Sequence, residues 1–168
     1  PLLDLPMENA ALALQAYALM DLPWVPEQLA AALTATKVIG RLDRRQFTWH
    51  GKRLNLMLDV GHNPHAAQYL AQRLASRPVV GRRLAVFGLL ADKDLDGVVG
   101  ELNASVAHWA VAPLDSARAR PVADLQAALQ NLGASVSSYA SVAEALEGQC
   151  AQATADDEIL LFGSFYCV

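Results

Sequence analysis

The chain has 168 residues, of which 54% are hydrophobic and 18% charged, so it has enough apolar side chains for a folded core and is not a disordered segment. Its net charge of -4 argues against diffuse, sequence-independent binding to nucleic acid. No apolar run is long enough to span a membrane and no signal-peptide pattern is present, so we expect a cytoplasmic protein without membrane contact.

The first forty residues are predicted to contain two helices. Apolar residues recur with helical spacing from residue 8 to 22, where Pro23 breaks the pattern. Pro26 suits the first turn of a second helix, and Gly40 ends the region. These two helices resemble the end of a preceding domain, and we expect the chain to be a piece of a longer protein.

After Gly40 the pattern changes to strands that alternate with helices. A hairpin with its turn at residues 50–53 opens this part. Continuous apolar strands separated by helices indicate a parallel sheet that is covered on both faces. We therefore predict an α/β fold, a Rossmann-like doubly wound and mostly parallel sheet with helices on both faces. The strands are expected over 47–49, 54–59, 84–88, 107–112, 136–139 and 159–162, and the helices over 64–75, 95–102, 122–132 and 142–153.

Ligands of such sheets bind at the carboxyl ends of the strands. The segment from Asp59 to His65 follows a strand and opens a helix, with Asn63 as a candidate cap and Pro64 at the first helical position. A helix N-terminus there favours a phosphate, Asp59 can accept hydrogen bonds from sugar hydroxyls, and His62 can donate to phosphate. Equally, Asp59 and Asn63 could only satisfy the turn, with His62 solvated. A metal held by the two histidines is not supported.

Three further polar clusters follow later strands. Lys93 lies between Asp92 and Asp94, and on pattern alone we favour a helix cap with a solvated lysine. The segment 115–120 contains two arginines and is expected to be a surface loop rather than an anion site. Ser164 follows Gly163 after the last strand, where either close approach of a substrate or a simple turn fits. The chain contains neither a GxxxxGK[ST] nor a GxGxxG phosphate loop.

Several of these segments together resemble one family. Residues 58–67, Leu-Asp-Val-Gly-His-Asn-Pro-His-Ala-Ala, resemble the D-[GAV]-[AG]-H-N-P-x-[AS] signature of folylpolyglutamate synthases, and 87–94 resembles their G-x-x-x-D-K-D segment. Residues 8–13 resemble the N-x-x-x-A helix of the central ATPase domain of the Mur ligase superfamily, and 39–42 the P-G-R-[FL] linker between domains, with Ile39 in place of the usual proline. The resemblance implies residues 1–38 as the last helices of the central domain and 39–168 as a C-terminal glutamate-ligase domain.

The resemblance also implies roles for single residues. Asn9 would contact the adenine of ATP, and Arg41 would reach its phosphates from the linker. Asp59 would hold the ribose hydroxyls. His62 would contact phosphate near the acyl transfer.

Lys93 and Ser164 would place the glutamate or the acyl phosphate, which makes His62 and Lys93 the candidate catalytic residues. The reaction implied is the ATP-dependent addition of L-glutamate to dihydropteroate and folates through an acyl phosphate. Its cofactors would be ATP and Mg²⁺, with the Mg²⁺ ligands mainly in a missing N-terminal part, and the whole enzyme is expected to be a monomer. The alternatives are a stand-alone Rossmann-like binding module and the C-terminal domain of a peptidoglycan-type Mur ligase.

Overall fold

The structure, a computed structural model, describes residues 6–167. The helices are α1 (Met7–Ala18), α2 (Pro26–Ala35), α3 (Pro64–Ser76), α4 (Leu95–Leu102), α5 (Val122–Asn131) and α6 (Val142–Gln152). The strands are β1 (Asp43–Trp49), β2 (Lys52–Asp59), β3 (Arg83–Phe87), β4 (His108–Val111), β5 (Val136–Ser138) and β6 (Glu158–Phe162). Short 3₁₀ turns follow α4 and β6, at Asn103–Ser105 and Phe165–Cys167.

The strands form one six-stranded sheet in the order β1-β2-β6-β3-β4-β5. Only β1 is antiparallel to its neighbour, and the other pairs are parallel. The last strand, β6, lies between β2 and β3, so the carboxyl ends of these three strands lie side by side. The predicted fold class, a mostly parallel α/β sheet, is confirmed.

Helices cover both faces of this sheet. One face packs against α3, α4 and α5 through a cluster that includes Leu70, Val98 and Leu125. The other face packs mainly against α6, through Ala145 and Cys150. Consecutive side chains of a strand point to opposite faces of the sheet. In β3, Ala85 and Phe87 belong to the first cluster, while Leu84 and Val86 belong to the second.

Local signals mark several element ends, but the hairpin turn takes only residues 50–51 rather than the predicted 50–53, and β1 begins at Asp43 rather than at residue 47. Asn63 accepts a hydrogen bond from the Ala66 amide at 2.8 Å and caps α3, and Asp94 caps α4 in the same way through Gly97 at 3.0 Å. His50 and Gly51 both have positive φ, 44° and 79°, as a two-residue type I′ hairpin turn requires.

Helices α1 and α2 contribute little to the core. Ala10 is the single buried residue of α1, and α2 has none. Large apolar side chains of this region face solvent, among them Met7, Leu12, Leu19, Met20 and Trp24. The expected domain division at residue 38/39 stays a prediction, and its outer ends, residues 1–5 and 168, lie outside the described residues. No helix within 6–167 combines the length and the apolar character that crossing a membrane requires.

Asp157 anchors the amino end of the sheet. One carboxylate oxygen accepts the Arg82 backbone amide at 2.6 Å. The other accepts the Arg82 guanidinium and the Thr154 amide, both at 3.0 Å. Burial alone would raise the pKa of Asp157, but these hydrogen bonds outweigh it and lower the pKa to about 2. The stability from this group is therefore complete above the ordinary aspartate pKa and is lost as the pH falls towards 2.

We expect Asp157→Asn to lower the free energy of unfolding at pH 7 by roughly 2 kcal/mol, because an amide cannot accept hydrogen bonds at both of its terminal atoms. Denaturant titrations between pH 7 and pH 2.5 should also show a smaller loss of stability on acidification than the parent chain shows. Asp156→Asn is the matched control, since Asp156 is exposed. Equal acid sensitivity in the parent chain and the Asp157 variant would contradict this assignment.

Candidate functional site

The linker between α2 and β1 is held against the end of β2 by the Asp59 carboxylate. Asp59 Oδ2 accepts the Leu42 amide at 3.0 Å, and Oδ1 accepts the Gly61 amide at 2.8 Å. The Val60 amide donates to the Gly40 carbonyl at 2.7 Å, which adds a backbone bond beside them. Leu42 has a positive φ of 48°, a strained conformation for a leucine. Its buried side chain and the bond to Asp59 hold it there.

Burial raises the pKa of the Asp59 carboxyl above its ordinary value. The amides of Gly61 and Leu42 and the positive charge of Arg41 oppose this rise. Asp59 is 6% exposed, so its carboxylate depends on the protein's amide donors rather than on water for hydrogen bonds. These contacts show that Asp59 satisfies the turn, which is one part of what the sequence led us to expect. Each oxygen accepts one protein N–H and retains a second lone pair.

A cavity of about 540 Å³ opens beside Asp59. Its wall includes Asn9 from the start of α1 and Arg41 from the linker. Three of the residues predicted to contact ATP therefore line one cavity. An amide, a guanidinium and a carboxylate around such a volume can bind a ligand that combines a polar ring, hydroxyls and anionic groups.

One side of this cavity is a polar face of α3, of which the sequence motifs included His65 alone. His65, Gln68, Tyr69 and Gln72 line it. They recur at positions i, i+3, i+4 and i+7, which is the spacing of one helical face. The sequence shows this face as a polar stripe opposite the buried Ala67, Leu70 and Leu74. Any helix on a protein surface has such a stripe, so the pattern alone does not indicate a binding site.

His62 lies three residues after Asp59 and is partly buried, although it does not line this cavity. Its Nδ1 is 3.0 Å from the Val60 carbonyl oxygen. A carbonyl only accepts, so this contact requires a proton on Nδ1, and the neutral ring then presents Nε2 as an acceptor. Only the protonated imidazolium donates from Nε2 as well.

The loop that carries Lys93, residues 89–94, leaves the carboxyl end of β3. Lys93 Nζ lies 2.8 Å from Asp92 Oδ2, and its side chain is 29% exposed. The expected helix cap by Asp94 is present, but the lysine is ion-paired and partly covered rather than fully solvated. The segment 115–120, expected to be a plain surface loop, makes an isolated β-bridge between Ala119 and Leu90.

Ser164 follows β6 and is 5% exposed. Its Oγ accepts the Tyr166 amide at 3.3 Å, which begins the last 3₁₀ turn. The preceding Gly163 has a φ of 110°, and a Cβ there would collide with the Gly88 carbonyl of the neighbouring strand end. Glycine at 163 is what allows the ends of β3 and β6 to approach each other.

The structure thus brings Asn9, Arg41 and Asp59 around one cavity, and it leaves Lys93 and Ser164 farther along the same edge of the sheet, outside the cavity wall. Within residues 6–167 no group of three or more His, Cys, Asp and Glu side chains is arranged to hold a metal ion.

The chain is similar in sequence to one family of proteins. Residues 40–165 match the family described as Mur ligase, glutamate ligase domain. The whole chain is 36% identical to the dihydrofolate synthase/folylpolyglutamate synthase of Escherichia coli (strain K12), over 38% of that protein's length. It is 29% identical to the protein of the same name from Haemophilus influenzae, over 42% of its length. The chain therefore spans about two fifths of the curated relatives that it matches over its full length.

Solved structures resemble the chain over nearly all of its residues. The structure described as E.coli FolC in complex with DHPP and ADP matches 99% of the chain, with a TM-score of 0.82 and 36% identity. A bifunctional folylpolyglutamate synthase/dihydrofolate synthase with Mn, AMPPNP and L-glutamate bound matches 100% of the chain, with a TM-score of 0.84 and 33% identity. The chain covers 38% and 39% of these two proteins. The resemblance noted in the sequence is confirmed.

We expect Asp59→Ala to release the linker, because it leaves the buried Leu42 and Gly61 amides without their acceptor. Each unsatisfied buried donor costs about 1–3 kcal/mol. Hydrogen exchange should show lost protection at both amides, together with a lower free energy of unfolding. Asp94→Ala is the control, since it removes a carboxylate acceptor from a helix cap elsewhere and should leave Leu42 protected. Retained protection of Leu42 in the Asp59 variant would contradict the anchoring role.

Proposed function

Since the chain belongs to the Mur ligase family through its glutamate ligase domain, we propose that it is the C-terminal part of an ATP-dependent ligase that adds L-glutamate to dihydropteroate and to folates. The observation that carries this proposal is the cavity that Asn9, Arg41 and Asp59 line together beside the linker. The names of the relatives and the ligands of the related structures support the same substrates.

The cavity residues fit the parts of a nucleotide. The Asn9 amide offers both a donor and an acceptor to an adenine edge. Asp59 has one free lone pair on each oxygen for the two ribose hydroxyls, and the guanidinium of Arg41 suits phosphate oxygens. In this proposal ATP supplies the phosphoryl group, and these three side chains orient it.

The reaction proceeds in two steps. The carboxylate of the pterin substrate attacks the γ-phosphorus of ATP, and ADP leaves, so that an acyl phosphate forms. The glutamate amine then attacks the acyl carbon, phosphate leaves as the amide forms, and the proton that the amine loses is taken up by the departing phosphate. Charge accumulates on phosphate oxygens in both steps, so a positioned donor stabilises them. His62 supplies this donor from Nε2 in its imidazolium form, because Nδ1 is directed at Val60.

Lys93 and Ser164 are assigned to the amino-acid substrate. Glutamate carries two carboxylates, and the Lys93 ammonium and the Ser164 hydroxyl lie at the same edge of the sheet as Asp59. Asp92 holds the ammonium at 2.8 Å, which limits the freedom of a long side chain before substrate binds.

The remaining expectations belong to the whole enzyme. A divalent ion bound to ATP would neutralise phosphate charge, and residues 6–167 contain no group of three or more His, Cys, Asp and Glu side chains arranged to hold one. We infer that the ligands of this ion lie mainly in sequence outside this chain. The same proposal assigns residues 1–38 to the end of a central domain. It also includes a monomeric enzyme and a cytoplasmic location.

The decisive test is an assay of the full-length protein that contains this chain. Amide formation from L-glutamate and ATP with dihydropteroate or folate is expected, and a UDP-sugar peptide should not replace the pterin. Turnover of the peptide substrate instead would assign the protein to the peptidoglycan-type ligases. Absence of any ATP-dependent amide formation would favour a binding module.

The ribose role of Asp59 needs a test that separates it from linker anchoring. We expect Asp59→Ala and 3′-deoxyATP each to weaken nucleotide binding, and their combination to cost less than the sum, because both remove the same hydrogen bond. Calorimetric titration of the full-length enzyme measures the four affinities. Strictly additive losses would leave Asp59 with the anchoring role alone.

We expect His62→Asn to preserve the fold while it lowers kcat by about 100-fold. The asparagine amide can still donate to the Val60 carbonyl, but nothing replaces Nε2. Steady-state kinetics with saturating ATP is the measurement. His50→Asn in the hairpin turn is the matched control, and there activity should not change. An active His62 variant would exclude His62 from the chemistry.

A further inference from the structure

The loops that follow β3 and β4 are joined by backbone hydrogen bonds. The Ala91 amide donates to the Arg118 carbonyl at 2.8 Å, and the Arg120 amide donates to the Leu89 carbonyl at 2.9 Å. These bonds flank the isolated antiparallel bridge between Leu90 and Ala119. Residues 89–91 and 118–120 therefore form a short ladder, and the two loops are expected to move as one unit.

The Arg120 side chain extends this ladder to the lysine loop. Its Nη2 donates to the Ala91 carbonyl at 2.8 Å and to the Lys93 carbonyl at 2.6 Å. Both acceptors are backbone oxygens, and they lie on either side of Asp92. A charged donor makes such bonds stronger than neutral ones. The guanidinium thus fixes the backbone on both sides of Asp92.

The loop is held at its other end as well. Asp94 accepts the Gly97 amide at 3.0 Å and fixes the start of α4. The Lys93 amide donates to the Leu90 carbonyl at 3.2 Å. Lys93 is consequently a residue on a short loop with both flanks restrained, and Asp92 then holds its ammonium at 2.8 Å.

We propose that Arg120 is a positioning residue that directs the Lys93 ammonium towards a carboxylate of the amino-acid substrate. This inference rests on the proposed function for the identity of that substrate. Arg120 acts through the loop backbone and contacts no reacting atom. Lysine at this position would place one nitrogen near the two carbonyls on a flexible stem, so it replaces the planar guanidinium only in part. Methionine keeps the apolar stem and removes every donor.

The kinetic test compares Arg120→Met and Arg120→Lys in the full-length enzyme. A displaced ammonium costs about ten- to a hundredfold, so the KM for glutamate should rise by this factor in the methionine variant. The KM for ATP should stay within about twofold, since the nucleotide cavity lies beside β2 and α3, and the lysine variant should recover part of the loss. Arg82→Met at the opposite end of the sheet controls for general loss of stability and should leave the KM for glutamate unchanged.

An unchanged KM for glutamate in Arg120→Met, or a parallel rise of both KM values, would overturn the proposal. So would an equal effect of Arg82→Met.

Hydrogen exchange separates this inference from the proposed function. In Arg120→Met the amides of Ala91 and Lys93 should lose protection, while that of Gly97 keeps it. Unchanged exchange at Ala91 and Lys93 would overturn the positioning role even in an active enzyme. Altered exchange in a protein without ligase activity would support the restraint of the loop and reject the proposed function instead.

Discussion

The arrangement of the candidate site depends on one carboxylate. Asp59 ends β2 and accepts the amides of Leu42 and Gly61, so it joins the linker, the first strand of the parallel sheet and the turn into α3. The linker contributes Arg41 to the cavity beside Asp59, and the turn carries His62, which lies outside the cavity wall. Without this acceptor, the Leu42 amide would lose the hydrogen bond that offsets the strained backbone conformation of this residue. Together with the backbone bond from the Val60 amide to the Gly40 carbonyl, these two hydrogen bonds hold the linker that forms part of the cavity wall.

The strand order places the residues proposed to bind glutamate near the end of β2. Because β6 lies between β2 and β3, its carboxyl end lies beside those of both neighbours. Gly163 permits the close approach to the Gly88 carbonyl, and Ser164 follows directly. The candidate nucleotide and amino-acid residues therefore lie along one edge although they are distant in sequence. A parallel sheet with this strand order is sufficient to explain their proximity.

Much of the fold could be predicted because its signals are local. Caps such as Asn63 and Asp94, the proline at position 64 and the hairpin turn at His50 act within a few residues, and the observed element ends agree with them. The position of β6 in the sheet could not be read in this way, since no local pattern encodes which strands pair. The same limit applies to Asp59: its residue type was noticed, but its amide partner Leu42 lies 17 residues away.

Arg120 shows this limit most clearly. In the sequence it belongs to a polar segment typical of any exposed loop, and its two acceptors are backbone carbonyls, which carry no residue-type signal.

The anchoring role of Asp59 and its proposed ribose role are compatible, and together they would couple nucleotide binding to protonation of the carboxyl. Burial raises the pKa of its carboxyl, and each further hydrogen-bond donor favours the ionised form. Ribose hydroxyls that donate to the free lone pairs would add to the two amides and lower the pKa again. Binding of a nucleotide and ionisation of Asp59 then favour each other. A carboxylate that already holds the linker in place is therefore also prepared for a sugar: its oxygens are fixed in direction, and the incoming hydroxyls strengthen the charged state that the linker amides require.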